Sequence, residues 1–225
     1  MKDFLKGVKE VSPIISGVVP FGLIYGVSAI NYGLNEIQTI SMSYIIFAGA
    51  SQIALVNQMF IDSSIFVSVA TVFMINLRMA MYSASISPYF KDNNIFTKII
   101  VSYLLTDQAY AVSIAKFNED ENINKVKFFL GAGITMWISW QISTVIGVFL
   151  GKTLPKGLSL EFAIPLTFLA LLRPFLNKKY FVVTAIISGF TMIIFRNLPY
   201  NFGFFIAVFA GIFSGLFFKR LKNAV

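Results

Sequence analysis

The sequence predicts an all-α, polytopic integral membrane protein of about eight transmembrane helices, with seven as the second choice and some helices short or broken. Three observations carry this. The chain is 57% hydrophobic and only 12% charged, against about 45–50% apolar and about 25% charged residues in soluble domains. Its mean hydropathy is +0.78. Its apolar residues gather into runs near the ~20 residues that cross about 30 Å of hydrocarbon. A soluble fold of 225 residues cannot bury that much apolar surface, because a folded surface still needs polar cover.

The elements follow in order. Phe4, Leu5, Val8 and Val11 fall on one side of a short helix whose other side carries Lys2, Lys6, Lys9 and Glu10. Residues 1–12 therefore read as an amphipathic segment on the inner leaflet, not as a cleavable signal. Ser12-Pro13 supplies a cap and first turn for span one, Pro13–Asn31, which Val19-Pro20-Phe21-Gly22 should break near its middle. Span two, Ile40–Phe60, carries small and polar residues at mid-depth, Phe47-Ala48-Gly49-Ala50-Ser51-Gln52, followed by Asn57 and Gln58. Spans three, four and five are Ile65–Pro88, Ile99–Lys116 and Phe128–Leu150. Spans six (Leu160–Leu172) and seven (Tyr180–Phe195) are short, and the segment Arg173–Lys179 between them is too polar for lipid. They read as two tilted helices or a re-entrant pair. Span eight, Phe202–Phe218, leads to a basic tail, residues 219–225. The whole chain, 1–225, is one transmembrane domain, and the acidic loop Phe117–Lys127 is a solvated connector.

Charge sets the direction. With eight spans and the N-terminus inside, Lys2, Lys6, Lys9, Lys116, Lys125, Lys127, Arg173, Lys178, Lys179, Lys219, Arg220 and Lys222 lie on the inner side. Only Lys91, Lys98, Lys152, Lys156 and Arg196 lie outside. The positive-inside rule then places both termini in the cytoplasm. The net charge of +8 belongs to this topology and not to a nucleic-acid partner; the bilayer is the partner it implies.

Composition also excludes chemistry. With no Cys and no His, there is no disulfide, thiol nucleophile, imidazole base or His-based metal site. No catalytic residue, metal or cofactor is expected. No phosphate-binding loop is present, so any energy source is a gradient or another subunit.

Charged residues at membrane depth are the strongest functional pointers, each costing about 2.5–3.5 kcal/mol at a helix centre. Arg78 in span three and Asp107 in span four are the two. Arg78 lies about 15 Å before Pro88 and Asp107 about 13–14 Å after Lys98, at 1.5 Å per residue. In antiparallel neighbours they reach nearly the same depth, where they form a structural ion pair or face one cavity. Gln52 should face protein or a cavity, because an unpartnered amide in lipid is costly. Gly203, Ala207, Gly211 and Gly215 recur every four residues, a smooth face for packing against another span or a second subunit in a homo-oligomer. Trp137, Trp140 and Gln141 sit near the middle of span five, lining a cavity or filling the core.

Four segments, VVPFGLIYGVSA, IIFAGASQIAL, INLRMAMYSASISPYF and LLTDQAYAVS, resemble the AzlC family of branched-chain amino acid permeases over roughly residues 13–116. The resemblance implies export of leucine, isoleucine, valine or methionine across the bacterial cytoplasmic membrane, with a small four-span partner of the AzlD type. It marks Gly49, Ser51, Gln52, Asn76, Arg78 and Asp107 as motif positions; Pro20 and Gly22 join them as substrate-binding candidates from the expected break in span one. Where many members carry His and Glu, this chain has Met79 and Gln108, so Asp107 would act alone in any proton coupling. An aliphatic zwitterion needs a cation or helix end for its carboxylate, an acid or carbonyls for its ammonium, and an apolar pocket. Arg78, the broken helices, Asp107 and the aromatic spans meet those needs.

Three rival classes make different demands. A membrane-embedded enzyme needs clustered carboxylates, a serine with a base, or metal ligands, whereas one intramembrane Asp is present. A substrate-binding module of an ATP-driven uptake system would copurify with ATPase subunits. A channel would show conductance where a carrier saturates.

Overall fold

The structure is a computed structural model that describes residues 1–153, 179–198 and 202–223. Nine α-helices and no strand occur among the described residues. They are α1 (Lys2–Asn31), α2 (Glu36–Ile46), α3 (Gly49–Phe60), α4 (Ile65–Ile86), α5 (Ile95–Tyr103), α6 (Asp107–Glu119), α7 (Lys125–Thr153), α8 (Lys179–Phe195) and α9 (Phe202–Asn223). Among the described residues, four segments are long and apolar enough to cross a membrane: α1, α4 with its 3-10 turn to Phe90, α7, and α9 as far as Arg220. The expected sixth span, Leu160–Leu172, and the polar segment Arg173–Lys178 lie outside the described residues. The chain divides into two compact units, residues 1–62 with 68–160 and residues 63–67 with 161–225.

The first unit is built on α1 and α7. The contacts advance together along both helices, from Phe4 on Gly131, through Gly22 on Ser143 and Gly26 on Thr144, to Ile30 on Gly151, so the two run parallel. Small residues let the backbones approach until a Cβ on Gly7 or Gly26 would strike the α7 main chain. Two of these pairs, Gly22/Gly26 and Gly147/Gly151, have the four-residue spacing that marks such faces.

This packing overturns two expectations. Span one does not break at Val19-Pro20-Phe21-Gly22, and no separate segment ends at Ser12. A single helix runs from Lys2 to Asn31 through Pro13 and Pro20. Each proline removes one ladder bond and costs a free helix about 3 kcal/mol. Contact with α7 on both sides of each proline offsets that cost. Ser12 does not cap: its hydroxyl donates to the carbonyl of Val8, one turn back. Val11, expected on the lipid-facing side of a surface helix, is fully buried.

Span two is broken where its small residues predict. Asn35 starts α2 with a reciprocal capping box to Gln38. The helix stops at Phe47, which takes a left-handed conformation (φ 40°, ψ 48°), and α3 begins again at Gly49.

Span four is also broken, which the sequence reading did not expect. In place of one helix over Ile99–Lys116, α5 ends at Tyr103 and α6 starts at Asp107. Thr106 caps the new start, its hydroxyl accepting from the N–H of Ala109 at 3.2 Å. A core of Ile86, Phe90, Val101, Leu104, Leu105, Ala109, Phe117, Phe128 and Phe129 holds α4, α5, α6 and α7 around this break.

In the second unit α8 packs on α9 through the small-residue face expected there. Gly203 lies against Phe195, Gly211 against Ser188 and Gly215 against Thr184. Ser188 donates to the carbonyl of Ala207 at 3.0 Å. α9 continues past Phe218 to Asn223, taking the start of the basic tail into the helix.

Candidate functional site

Arg78 and Asp107 form an ion pair, one of the two arrangements that their nearly equal depth allows, Nη1 to Oδ2 at 2.8 Å. Two elements place them. Arg78 stands midway along α4, and Asp107 is the first residue of α6. The carboxylate therefore sits in the first turn of a helix, where backbone N–H groups lack intrahelical partners. The pair is neither sealed nor solvated: the side chains are 32% and 30% exposed. Arg78 Nε and Asp107 Oδ1 are buried atoms with no hydrogen-bond partner among the described residues. Each member thus keeps one unmet valence.

Two tyrosines complete this centre, and neither was singled out from the sequence. Tyr82, one turn beyond Arg78 on α4, lies beside Asp107. It stacks on Tyr110 of α6, with ring centroids 4.5 Å apart and planes at 17°. Tyr110 donates its hydroxyl to Ser85 Oγ at 2.8 Å. The helical spacings Arg78/Tyr82 and Asp107/Tyr110 were the signal that could have found them.

The other expected residues gather at the second break. Ser51, in the first turn of α3, donates to Asn76 Oδ1 at 2.6 Å. Asn76 and Arg78 are two residues apart, about 200° around a helix of 3.6 residues per turn. Opposite sides of α4 therefore meet the starts of α3 and α6. Gly49 lies under the indole of Trp140, which would collide with a Cβ there. Tyr25 stacks on that indole with centroids 6.1 Å apart and donates to the carbonyl of Thr39 at 2.9 Å. Gln52 is fully buried beside Tyr25, facing protein as its polarity requires. Trp140 fills the core here rather than the membrane interface.

Pro20 and Gly22 have other places. Pro20 is exposed on the continuous α1, and Gly22 is buried against Ser143 of α7. Gln141 ties α7 to α2 by accepting from Ser43 Oγ at 2.9 Å and donating to the Ser43 carbonyl at 3.3 Å. Trp137 donates to the hydroxyl of Tyr103 at 2.8 Å.

Comparison with known proteins places this arrangement among membrane proteins. The model of a family described as "AzlC protein" matches residues 13–154, a stretch that includes both breaks and the ion pair. The inner membrane protein YgaZ of Escherichia coli K12 is 28% identical over 220 residues, covering 94% of this chain and 87% of that protein. An uncharacterized membrane protein of Archaeoglobus fulgidus is 33% identical over 192 residues, covering 83% and 81%. Another from Helicobacter pylori J99 is 25% identical over 159 residues, 68% of each. No solved structure matches significantly.

Proposed function

We propose a transport role for this chain, which belongs to the AzlC family of membrane proteins: it is the large subunit of an exporter of branched-chain amino acids. One observation carries the proposal. A mutually paired Arg78 and Asp107 stand at a helix break at membrane depth, with Arg78 Nε and Asp107 Oδ1 unmet. An α-amino acid brings a carboxylate and an ammonium, the two charges that the pair can accept by exchanging its internal contact for contacts to substrate. Arg78 receives the carboxylate and Asp107 the ammonium, and the stacked Tyr82 and Tyr110 flank the side chain.

Arg–carboxylate contact is strong because charge-assisted hydrogen bonds exceed neutral ones and the planar guanidinium can meet a carboxylate through two of them. Binding is nonetheless reversible, because the internal pair reforms when substrate leaves. That exchange suits a carrier, which must release what it binds. The N-termini of α3 and α6 are discontinuous-helix ends of the kind that carriers place at their binding sites.

Leucine, isoleucine, valine and methionine as substrates, export as the direction, and a small AzlD-like four-span membrane protein as partner rest on the family resemblance. The excess of inner-side Lys and Arg supports a cytoplasmic position for both termini.

Efflux tests the reading. Cells producing the chain, alone or with a candidate four-span partner, are loaded with leucine- or isoleucine-containing dipeptides, and amino acids are followed inside and outside. Release should quicken with the partner present and fall more than tenfold for Arg78→Ala or Asp107→Asn at equal membrane levels. Unchanged efflux in those variants would remove the ion pair from the mechanism. No efflux with both proteins in the membrane would sink the branched-chain assignment.

A further inference from the structure

A cavity of about 420 Å³ lies between the end of α4 and α5, apart from the ion pair. That volume falls within the range of small-molecule sites, about 300–1,000 Å³. From α5 come Lys98, Val101 and Ser102, and from the break after it Leu105. From α4 and the 3-10 turn come Ser83, Ile86, Ser87, Phe90 and Lys91.

The lining charges have one sign. Among the described residues that line it, Lys91 and Lys98 are the only ionisable ones and none is a carboxylate. Neither lysine takes part in an ion pair among the described residues. Lys98 Nζ spends one hydrogen on the carbonyl of Lys91 at 2.7 Å, which holds the two ammonium-bearing segments together and leaves two donors. Ile86, Phe90, Val101 and Leu105, by contrast, are buried and apolar.

We infer that this cavity is a binding site for a short aliphatic monocarboxylate. The ammonium groups of Lys91 and Lys98 take the carboxylate, Ser83 and Ser102 offer hydroxyl donors, and the apolar residues take the hydrocarbon. A branched-chain amino acid fits less well than the same acid without its amino group. Its ammonium would meet two like charges and find no acidic acceptor. The inference does not rest on the transport reading, since it concerns different residues and a different charge pattern.

Calorimetric titration of the full chain in detergent with 4-methylpentanoate, and separately with leucine, tests it. Saturable binding of the acid is expected, weakened at least tenfold in the K91Q/K98Q double variant. Ser102→Trp, which fills the cavity from an exposed position, should abolish it. Arg78→Gln should leave it within twofold. The site would be overturned by any of three results: no saturable binding to the unaltered chain, equal affinity in K91Q/K98Q, or a loss in Arg78→Gln as large as in the lysine variant. Tighter lysine-dependent binding of leucine than of the acid would also overturn it. Phospholipid phosphate that copurifies with the unaltered chain and leaves with the lysines, without binding of the acid, would assign them to a headgroup instead.

Discussion

The hydroxyl of Tyr103 donates to the backbone carbonyl of Tyr44, joining the last residue of α5 to the last turn of α2. In an unbroken span two, that carbonyl would accept from the N–H of Ala48. Phe47 ends the helix one residue too early for this bond, its own N–H going to Ser43. Tyr103 thus satisfies an acceptor that one break frees, from the edge of the other. Trp137 in turn donates to the Tyr103 oxygen, and Phe47 packs beside the Tyr103 ring with centroids 6.0 Å apart. The two interruptions are coupled through one side chain.

Tyr103→Phe keeps the ring and removes only this coupling. It should cost about 0.5–1.5 kcal/mol, the net worth of an ordinary hydrogen bond. Thermal unfolding in detergent, followed by the fluorescence of Trp137 and Trp140, would measure it. Adding Trp137→Phe should cost less in the Tyr103→Phe background than alone. Additive losses would show that the two residues act independently.

Arg78 and Asp107 predict a different pattern. Asp107→Asn removes the charge and keeps the shape, so Arg78 is left with a weaker acceptor. A loss of about 1.5–3 kcal/mol in stability is expected, as for a hydrogen bond to a charged group. Arg78→Lys should retain more stability than Arg78→Ala yet transport poorly, because an ammonium lacks the planar fork that holds one carboxylate while meeting another. Transport equal to the unaltered protein in Arg78→Lys would show that charge alone suffices.

Two glycines of α1 should behave in opposite ways. A Cβ on Gly26 would come within 2.5 Å of the Thr144 carbonyl and 2.7 Å of the Val148 nitrogen, both main-chain atoms. Gly26→Ala should force α1 away from α7 and lower the yield of folded protein. Gly17 has nothing within 4 Å of such a Cβ. Gly17→Ala should therefore be neutral or stabilising by up to about 1 kcal/mol through helix propensity alone. Size-exclusion profiles and melting temperatures of the two variants decide the point.

Topology can be read directly because the chain has no native cysteine. In intact cells, a membrane-impermeant maleimide should label Lys91→Cys but label Lys2→Cys and Arg220→Cys only after permeabilisation. Labelling of Arg220→Cys from outside would replace the even span count with an odd one.

Hydropathy and charge determined much of this protein by themselves. They established lipid as its solvent, the long spans α1, α4, α7 and α9, and the equal depth of Arg78 and Asp107. Depth follows from spacing along a helix, which is local, so the nearness of the two charges was legible before any packing was known, though not whether they would pair or face one cavity. The small, polar stretch around Ala48-Gly49 likewise announced the break between α2 and α3, because it weakens a helix wherever it is placed.

Helix continuity at the prolines was decided only in three dimensions. Pro20 read as a break because the local cost of a missing bond is visible and the compensating contact with α7 is not. That contact comes from residues more than a hundred positions away, at Ser143, Thr144 and Gly147. The reverse held at Leu104-Leu105-Thr106, where the apolar run carries neither proline nor glycine. There the chain is interrupted because the core around Phe128 and Phe129 buries both leucines and Thr106 caps a new start. Hydropathy reports which solvent a side chain prefers. It does not report whether the backbone beneath stays helical, and that choice, which put Asp107 at a helix N-terminus, belonged to the tertiary structure.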